Sequence, residues 1–144
     1  MYCRSLQSVV IGDGVITIAD HAFRDCSSLI SLTMGKNVTY ITEYAFESVS
    51  LTSFAVPIKV TTIPEGLFYN SISLSSLKIH DGVTSIGNGA FYGCSLTCII
   101  WDPSILRAIG SDALPTTSAC PLGNILIFIL LKVFMNIIFR FRQW

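Results

Sequence analysis

The sequence predicts a repeat solenoid of about five coils of 22–23 residues, with a parallel β-sheet running along the stack. Three observations predict it. The pair Ala-Phe or its equivalent returns as Ala22-Phe23, Ala45-Phe46, Leu67-Phe68, Ala90-Phe91 and Ala113-Leu114, at steps of 23, 22, 23 and 23. Six apolar columns keep the same period across the repeats. About 23 residues are too few to bury a core of their own, whereas stacked coils close one another's apolar faces.

The elements of a coil follow in order. It opens on a leucine: Leu6, Leu29, Leu51, Leu74 and Leu96. Next come Val9, Leu32, Phe54, Leu77 and Ile99, and two residues on, Ile11, Met34, Val56, Ile79 and Trp101. That alternation predicts a short strand buried on one face. Turn residues follow in Gly12-Asp13-Gly14, Gly35-Lys36-Asn37 and Asp81-Gly82, with Pro57 taking the same place in the third repeat. β-branched runs such as Val38-Thr39-Tyr40-Ile41 and Val83-Thr84-Ser85-Ile86 predict a second extended segment. It carries the Val15, Val38, Val60, Val83, Leu106 column and the Ile18, Ile41, Ile63, Ile86, Ile109 column. The Ala-Phe element then closes the coil as a helical or 3-10 turn. With strands about 4.8 Å apart, five coils make a stack roughly 24 Å long.

Composition narrows the function classes. Of 144 residues, 51% are hydrophobic and 12% charged, and mean hydropathy is +0.64. Intrinsic disorder is excluded. Nine basic and nine acidic residues cancel, which argues against nucleic acid as a partner. The balance is uneven along the chain. Residues 1–114 hold all nine acids and six bases, whereas residues 115–144 hold Lys132, Arg140, Arg142 and no acid. The expected organisation is a solenoid over 1–114, a linker over 115–121 and a hydrophobic helix over 122–144.

The repeat resembles the BspA-like, or Treponema-type, leucine-rich repeat. The stretch that carries the resemblance runs Val83-Thr84-Ser85-Ile86-Gly87-Asn88-Gly89-Ala90-Phe91-Tyr92-Gly93-Cys94-Ser95-Leu96, and Ala22-Phe23-Arg24-Asp25-Cys26-Ser27-Ser28-Leu29 repeats its second half. Val49 in the Cys column and Ile63-Pro64 in place of Ile-Gly depart from the pattern, but the apolar columns persist. The resemblance covers about residues 3–114. It implies a leucine-rich-repeat-like solenoid of a surface or secreted protein that binds a protein partner, such as a host or extracellular matrix protein. It implies no enzyme, no cofactor and no small-molecule substrate.

The residues that could carry chemistry point the same way. Cys3, Cys26 and Cys94 share one column, where Val49 and Ser71 stand in other repeats, so a stack of small buried residues is expected. Cys3 and Cys26 fall on adjacent coils, close enough in Cα distance to be bridged, but a column that accepts valine does not require a bridge. No metal-ligand spacing is present. His21 and His80 fall in different columns and are expected in surface loops, and no base is held beside a nucleophile. Asn37-Val38-Thr39 is a glycosylation sequon on an expected loop, which makes Asn37 a candidate acceptor.

The candidate partner-binding face is the outward side of the strands. One column is Ser8, Ser31, Ser53, Ser76 and Cys98, and the other is Val10, Thr33, Ala55, Lys78 and Ile100. The face is flat, small-residued and nearly uncharged. It is read either as a shape-matching surface, or as small residues that fill a crowded sheet or lie under a segment that covers it.

The tail has three readings. From Ile125 to Phe139, 13 of 15 residues are apolar, interrupted by Lys132 and Asn136. As a helix, residues 122–139 would be about 27 Å long, near the roughly 30 Å of a bilayer core, and Arg140 and Arg142 would hold the C-terminus in the cytoplasm. Lys132, Asn136, Arg140 and Gln143 also form a polar stripe that suits a helix capping the solenoid. The third reading is an extension foreign to the repeat. Met1 falls inside a repeat, since Cys3 and Leu6 align with Cys26 and Leu29, so the array is expected to be truncated at its N-terminus. The functional expectation is a protein-interaction module at the cell surface or anchored to a membrane. The alternative is a structural segment of a longer intracellular, cytoplasmic scaffold with no ligand of its own.

Overall fold

The computed structural model describes residues 3–100 and 108–114, with backbone alone at 98–100. The expected hydrophobic helix over 122–144 and the linker over 115–121 lie outside the described residues. Within them the chain winds as a coil of short extended segments, making a parallel-strand solenoid of about four turns. Each coil contributes a three-residue strand and a two-residue strand. The first kind are β1 (Ser8–Val10), β3 (Ser31–Thr33), β5 (Ser53–Ala55), β7 (Ser76–Lys78) and β9 (Cys98–Ile100). The second kind are β2 (Thr17–Ile18), β4 (Tyr40–Ile41), β6 (Thr62–Ile63), β8 (Ser85–Ile86) and β10 (Ala108–Ile109).

Register follows the columns. Ser8 pairs with Ser31 and Val9 with Leu32, while Ser53, Ser76 and Cys98 line up across β5, β7 and β9. The second strands align the isoleucines, Ile18 with Ile41 and Ile63 with Ile86 and Ile109. All pairs are parallel, because each coil returns to the same side before starting its next strand.

The core is the inner side of those columns. Phe46, Phe68 and Phe91 are fully buried, and so are Leu29, Leu74, Val38 and Ile63. The phenylalanines stack along the axis: Phe23 on Phe46 at 5.3 Å, Phe46 on Phe68 at 5.4 Å and Phe68 on Phe91 at 6.1 Å between ring centroids. Phe54 wedges against Phe46 and Phe68 at 6.0 and 4.8 Å. Offset and tilted ring pairs of this kind add about 0.5–1.5 kcal/mol each to the burial of their area.

The Ala-Phe element is a turn with 3-10-type bonds, such as Arg24 N–H to His21 C=O at 3.1 Å and Cys26 N–H to Phe23 C=O at 3.2 Å. It does not wind into a helix because left-handed residues bracket it: His21 and Asp25, Tyr44 and Ser48, Gly66 and Asn70, Gly89 and Gly93. The alternation leaves every second N–H free to point along the stack. The result is a third coil-to-coil ladder that the column pattern gave no hint of. His21, Phe23 and Asp25 donate to the carbonyls of Glu43, Ala45 and Glu47, and Tyr44, Phe46 and Ser48 donate to those of Glu65, Leu67 and Tyr69. The strand ladders themselves form two blocks, one joining the first two coils and one joining the third to the fifth. The turn ladder and the phenylalanine stack cross that boundary.

Candidate partner-binding face

The outward columns of β1, β3, β5 and β7 are exposed. Ser8, Ser31, Ser53 and Ser76 form one row, and Val10, Thr33, Ala55 and Lys78 the other, with Val10 74% exposed. Cys98 and Ile100 continue the two rows in the backbone of β9. Alternation along each strand sends Val9, Leu32, Phe54 and Leu77 inward, which turns the intervening residues to solvent. The four serine hydroxyls make no hydrogen bond to other described residues, so they present free donors and acceptors on a surface with a single charge, Lys78.

The loops at one edge of this face are tied from coil to coil. Lys36 Nζ meets Asp13 Oδ2 at 2.8 Å, and Lys36 N–H donates to Asp13 Oδ1 at 3.0 Å. This lysine holds the Asp13 carboxyl below its ordinary value. Asn37, the sequon residue, is half-buried. Its Nδ2 donates to Asp13 C=O at 2.9 Å, and its Oδ1 accepts from Lys59 Nζ at 2.8 Å. His80 is also engaged: its Nδ1 accepts from Gly82 N–H at 3.0 Å, so Nε2 carries the proton donated to Pro57 C=O at 3.0 Å. It fastens the third loop to the fourth rather than lying free on the surface.

The turn side has a different character, which the apolar columns do not encode. His21, Tyr44, Tyr69 and Tyr92 form a continuous file of rings with centroid separations of 5.4, 6.3 and 5.0 Å. Tyr44 Oη donates to Glu65 Oε1 at 2.9 Å, and that bond holds its phenol above the ordinary value. Arg24 Nε meets Glu47 Oε2 at 3.0 Å. The aromatic file crosses from one column to the next, so reading single columns misses it; the signal in the sequence is Gly66, which leaves room for Tyr44 to cross.

The cysteine column is buried at Cys26 and Cys94 and exposed at Cys3. Cys94 Sγ donates to Phe68 C=O at 3.2 Å, and burial pushes its thiol up to about 12. Ser71 does the same service between its coils, donating to Phe46 C=O at 2.9 Å and accepting from Val49 N–H at 3.2 Å. Among the described residues, no three His, Cys, Asp or Glu side chains gather to hold a metal, and no helix is long and apolar enough to cross a membrane. Nothing brings His21 and His80 together.

Comparison with known proteins matches this architecture. No curated protein sequence matches the chain. A leucine-rich cell surface protein of Faecalibacterium prausnitzii superposes with a TM-score of 0.60 at 30% identity, covering 76% of this chain and 36% of that one. The chain therefore spans little more than a third of that relative. A leucine-rich repeat protein of Bacteroides ovatus gives a TM-score of 0.61 at 23% identity, over 78% of this chain and 36% of that one. The T. pallidum leucine-rich repeat protein gives 0.58 at 22% identity, over 85% and 72%. These last two are similar in fold. Proteins with this fold are typically non-enzymatic and generally bind other proteins. The model of the BspA-type leucine-rich repeat region matches residues 1–120 in six copies. With its columns, strand register and turn ladder all repeating at that family's period, the chain belongs to the BspA-type leucine-rich repeat family.

Proposed function

We propose that the chain is a protein-interaction module of a cell-surface protein, and that its partner docks on the rows Ser8, Ser31, Ser53, Ser76 and Val10, Thr33, Ala55, Lys78, continued by Cys98 and Ile100. The observation that carries this reading is the in-register exposure of these residues on β1, β3, β5 and β7, with serine hydroxyls that no other described residue engages. A flat row of small side chains lets a partner backbone approach closely, and the hydroxyls can exchange their bonds to water for bonds to its polar groups without breaking any within the protein. The surface lacks the aromatic and arginine anchors of strong hot spots, so affinity grows by adding coils rather than by any single contact. A host or extracellular matrix protein fits the description of the F. prausnitzii relative as a cell-surface protein. Anchoring through residues 122–139 would keep such a module at the membrane.

Two experiments test the reading. A photo-crosslinking residue placed at Ser53 should capture a partner that the same residue at Thr61, in the second extended segment, does not; equal capture at both positions overturns the face. Impermeant labelling of cells that express the full-length gene should reach the repeats, and carbonate extraction should leave the protein in the membrane fraction. A wholly cytosolic signal overturns the surface role and favours the intracellular scaffold.

A further inference from the structure

We propose that Cys3 and Cys26 are a disulfide-forming pair that fastens the first coil to the second. They hold the same place in neighbouring coils, 23 residues apart. The strands that follow them are locked in that register, Ser8 against Ser31 and Val9 against Leu32. The backbone is alike at both: Leu6 N–H donates to Cys3 C=O at 3.0 Å, and Leu29 N–H donates to Cys26 C=O at 2.9 Å. Neighbouring coils of a parallel stack lie about 4.8 Å apart, inside the roughly 4.4–6.8 Å of Cα separation that a disulfide spans.

Access and isolation complete the argument. Cys3 is exposed, so it can reach a dissolved oxidant, while Cys26 is only 2% exposed and is shielded from it. Val49 interrupts the column after Cys26, and Ser71 precedes Cys94, so no other two cysteines of this column lie on adjacent coils. Of the first coil's inward residues only Ile18 is fully enclosed, whereas Leu6, Val9, Ile11, Val15 and Phe23 are partly buried. A bridge there ties down the least enclosed part of the stack.

The chemistry balances with a low-molecular-weight disulfide such as glutathione disulfide as oxidant. The Cys3 thiolate attacks one sulfur of that disulfide, forming a mixed disulfide and expelling one glutathione thiolate. Cys26 gives its proton to water and attacks Cys3 Sγ, forming the Cys3–Cys26 bond and expelling the second thiolate. Two protein thiols are oxidised, and one glutathione disulfide is reduced to two glutathiones. Burial raises the Cys26 thiol above its ordinary value, so the second step quickens as pH rises.

The test uses the full chain with Cys98→Ser and Cys120→Ser, leaving Cys3, Cys26 and Cys94. After equilibration with glutathione disulfide, peptide mapping should find Cys3 linked to Cys26 and Cys94 still a thiol. Amide exchange over residues 3–26 should then slow on the order of 100-fold relative to the reduced protein. Cys3→Ser, a change at an exposed site, should abolish both effects without altering the melting of the reduced protein. A glutathione adduct that persists on Cys3 at about pH 9 with Cys26 free, or a dimer linked through Cys3, overturns the proposal.

Discussion

The ring of Tyr44 lies over the backbone of Gly66, filling the space that a side chain at Gly66 would need. Gly66 is also held at φ +58°. One glycine thus meets two demands, a left-handed turn and room for the aromatic file. Gly66→Ala is expected to cost about 2 kcal/mol or more, combining the left-handed penalty with displacement of Tyr44. Gly14→Ala is the control, because nothing lies near the position a side chain would take there. Urea denaturation of the two variants checks the difference; equal midpoints would count against this packing.

Phe46 is the centre of the phenylalanine stack, covered by Phe23, Phe54 and Phe68. It also lies where the strand ladders are interrupted between the second and third coils. Phe46→Ala should destabilise the solenoid by about 3–5 kcal/mol. Phe46→Asp should abolish cooperative thermal unfolding, since it puts an unpaired charge into the same space. Calorimetry reads both, and a variant melting like the parent would contradict the stack.

Ser71 is fully buried and bridges two coils through its hydroxyl. Ser71→Ala leaves the Val49 N–H and Phe46 C=O without that partner, at an expected cost of about 1–3 kcal/mol. Ser71→Cys should recover most of it, because Cys94 makes the equivalent bond to Phe68 C=O at 3.2 Å. The order serine, cysteine, alanine in urea midpoints is the expected result.

The Tyr44 phenol is held above its ordinary value, first by its hydrogen bond to Glu65. The fold therefore favours the neutral phenol. Its contribution to stability is complete below about pH 10 and is lost as pH rises through the folded-state value. Glu65→Gln keeps an acceptor but removes the charge, so the Tyr44 titration should move down. Ultraviolet absorbance titration of the variant and the parent checks the direction.

Burial pushes the Cys94 thiol up to about 12. At neutral pH it has almost no thiolate, and alkylation requires that form. Cys94 should resist iodoacetamide in the folded protein and react once urea unfolds it, as peptide mapping will show. Fast labelling of the native protein would place Cys94 elsewhere than between Phe68 and Ser71.

The period was legible in the sequence because burial is written into residue type at fixed spacing. Phe23, Phe46, Phe68 and Phe91 recur as the stack requires, and the Leu32-x-Met34 and Leu77-x-Ile79 alternations place the strands. The outward serines at 8, 31, 53 and 76 follow from the same alternation. The turn side was not legible in this way. Left-handed backbone at Tyr44, Ser48 and Asn70 leaves no mark in side-chain hydrophobicity, because it is imposed by neighbouring coils through their amides.

By itself, then, the sequence determined the coil length, the strand positions, the inward columns and the row that faces out. All of these depend on which side chains leave water, and that is a local property of residue type. Tertiary structure alone decided the third backbone ladder, the crossing of Tyr44 over Gly66, the His80 clamp between Pro57 and Gly82, and the burial of Cys26 beside an exposed Cys3. Each of these depends on the direction in which an N–H, a ring or a thiol points across the gap between coils. Direction is fixed only when the coils are stacked.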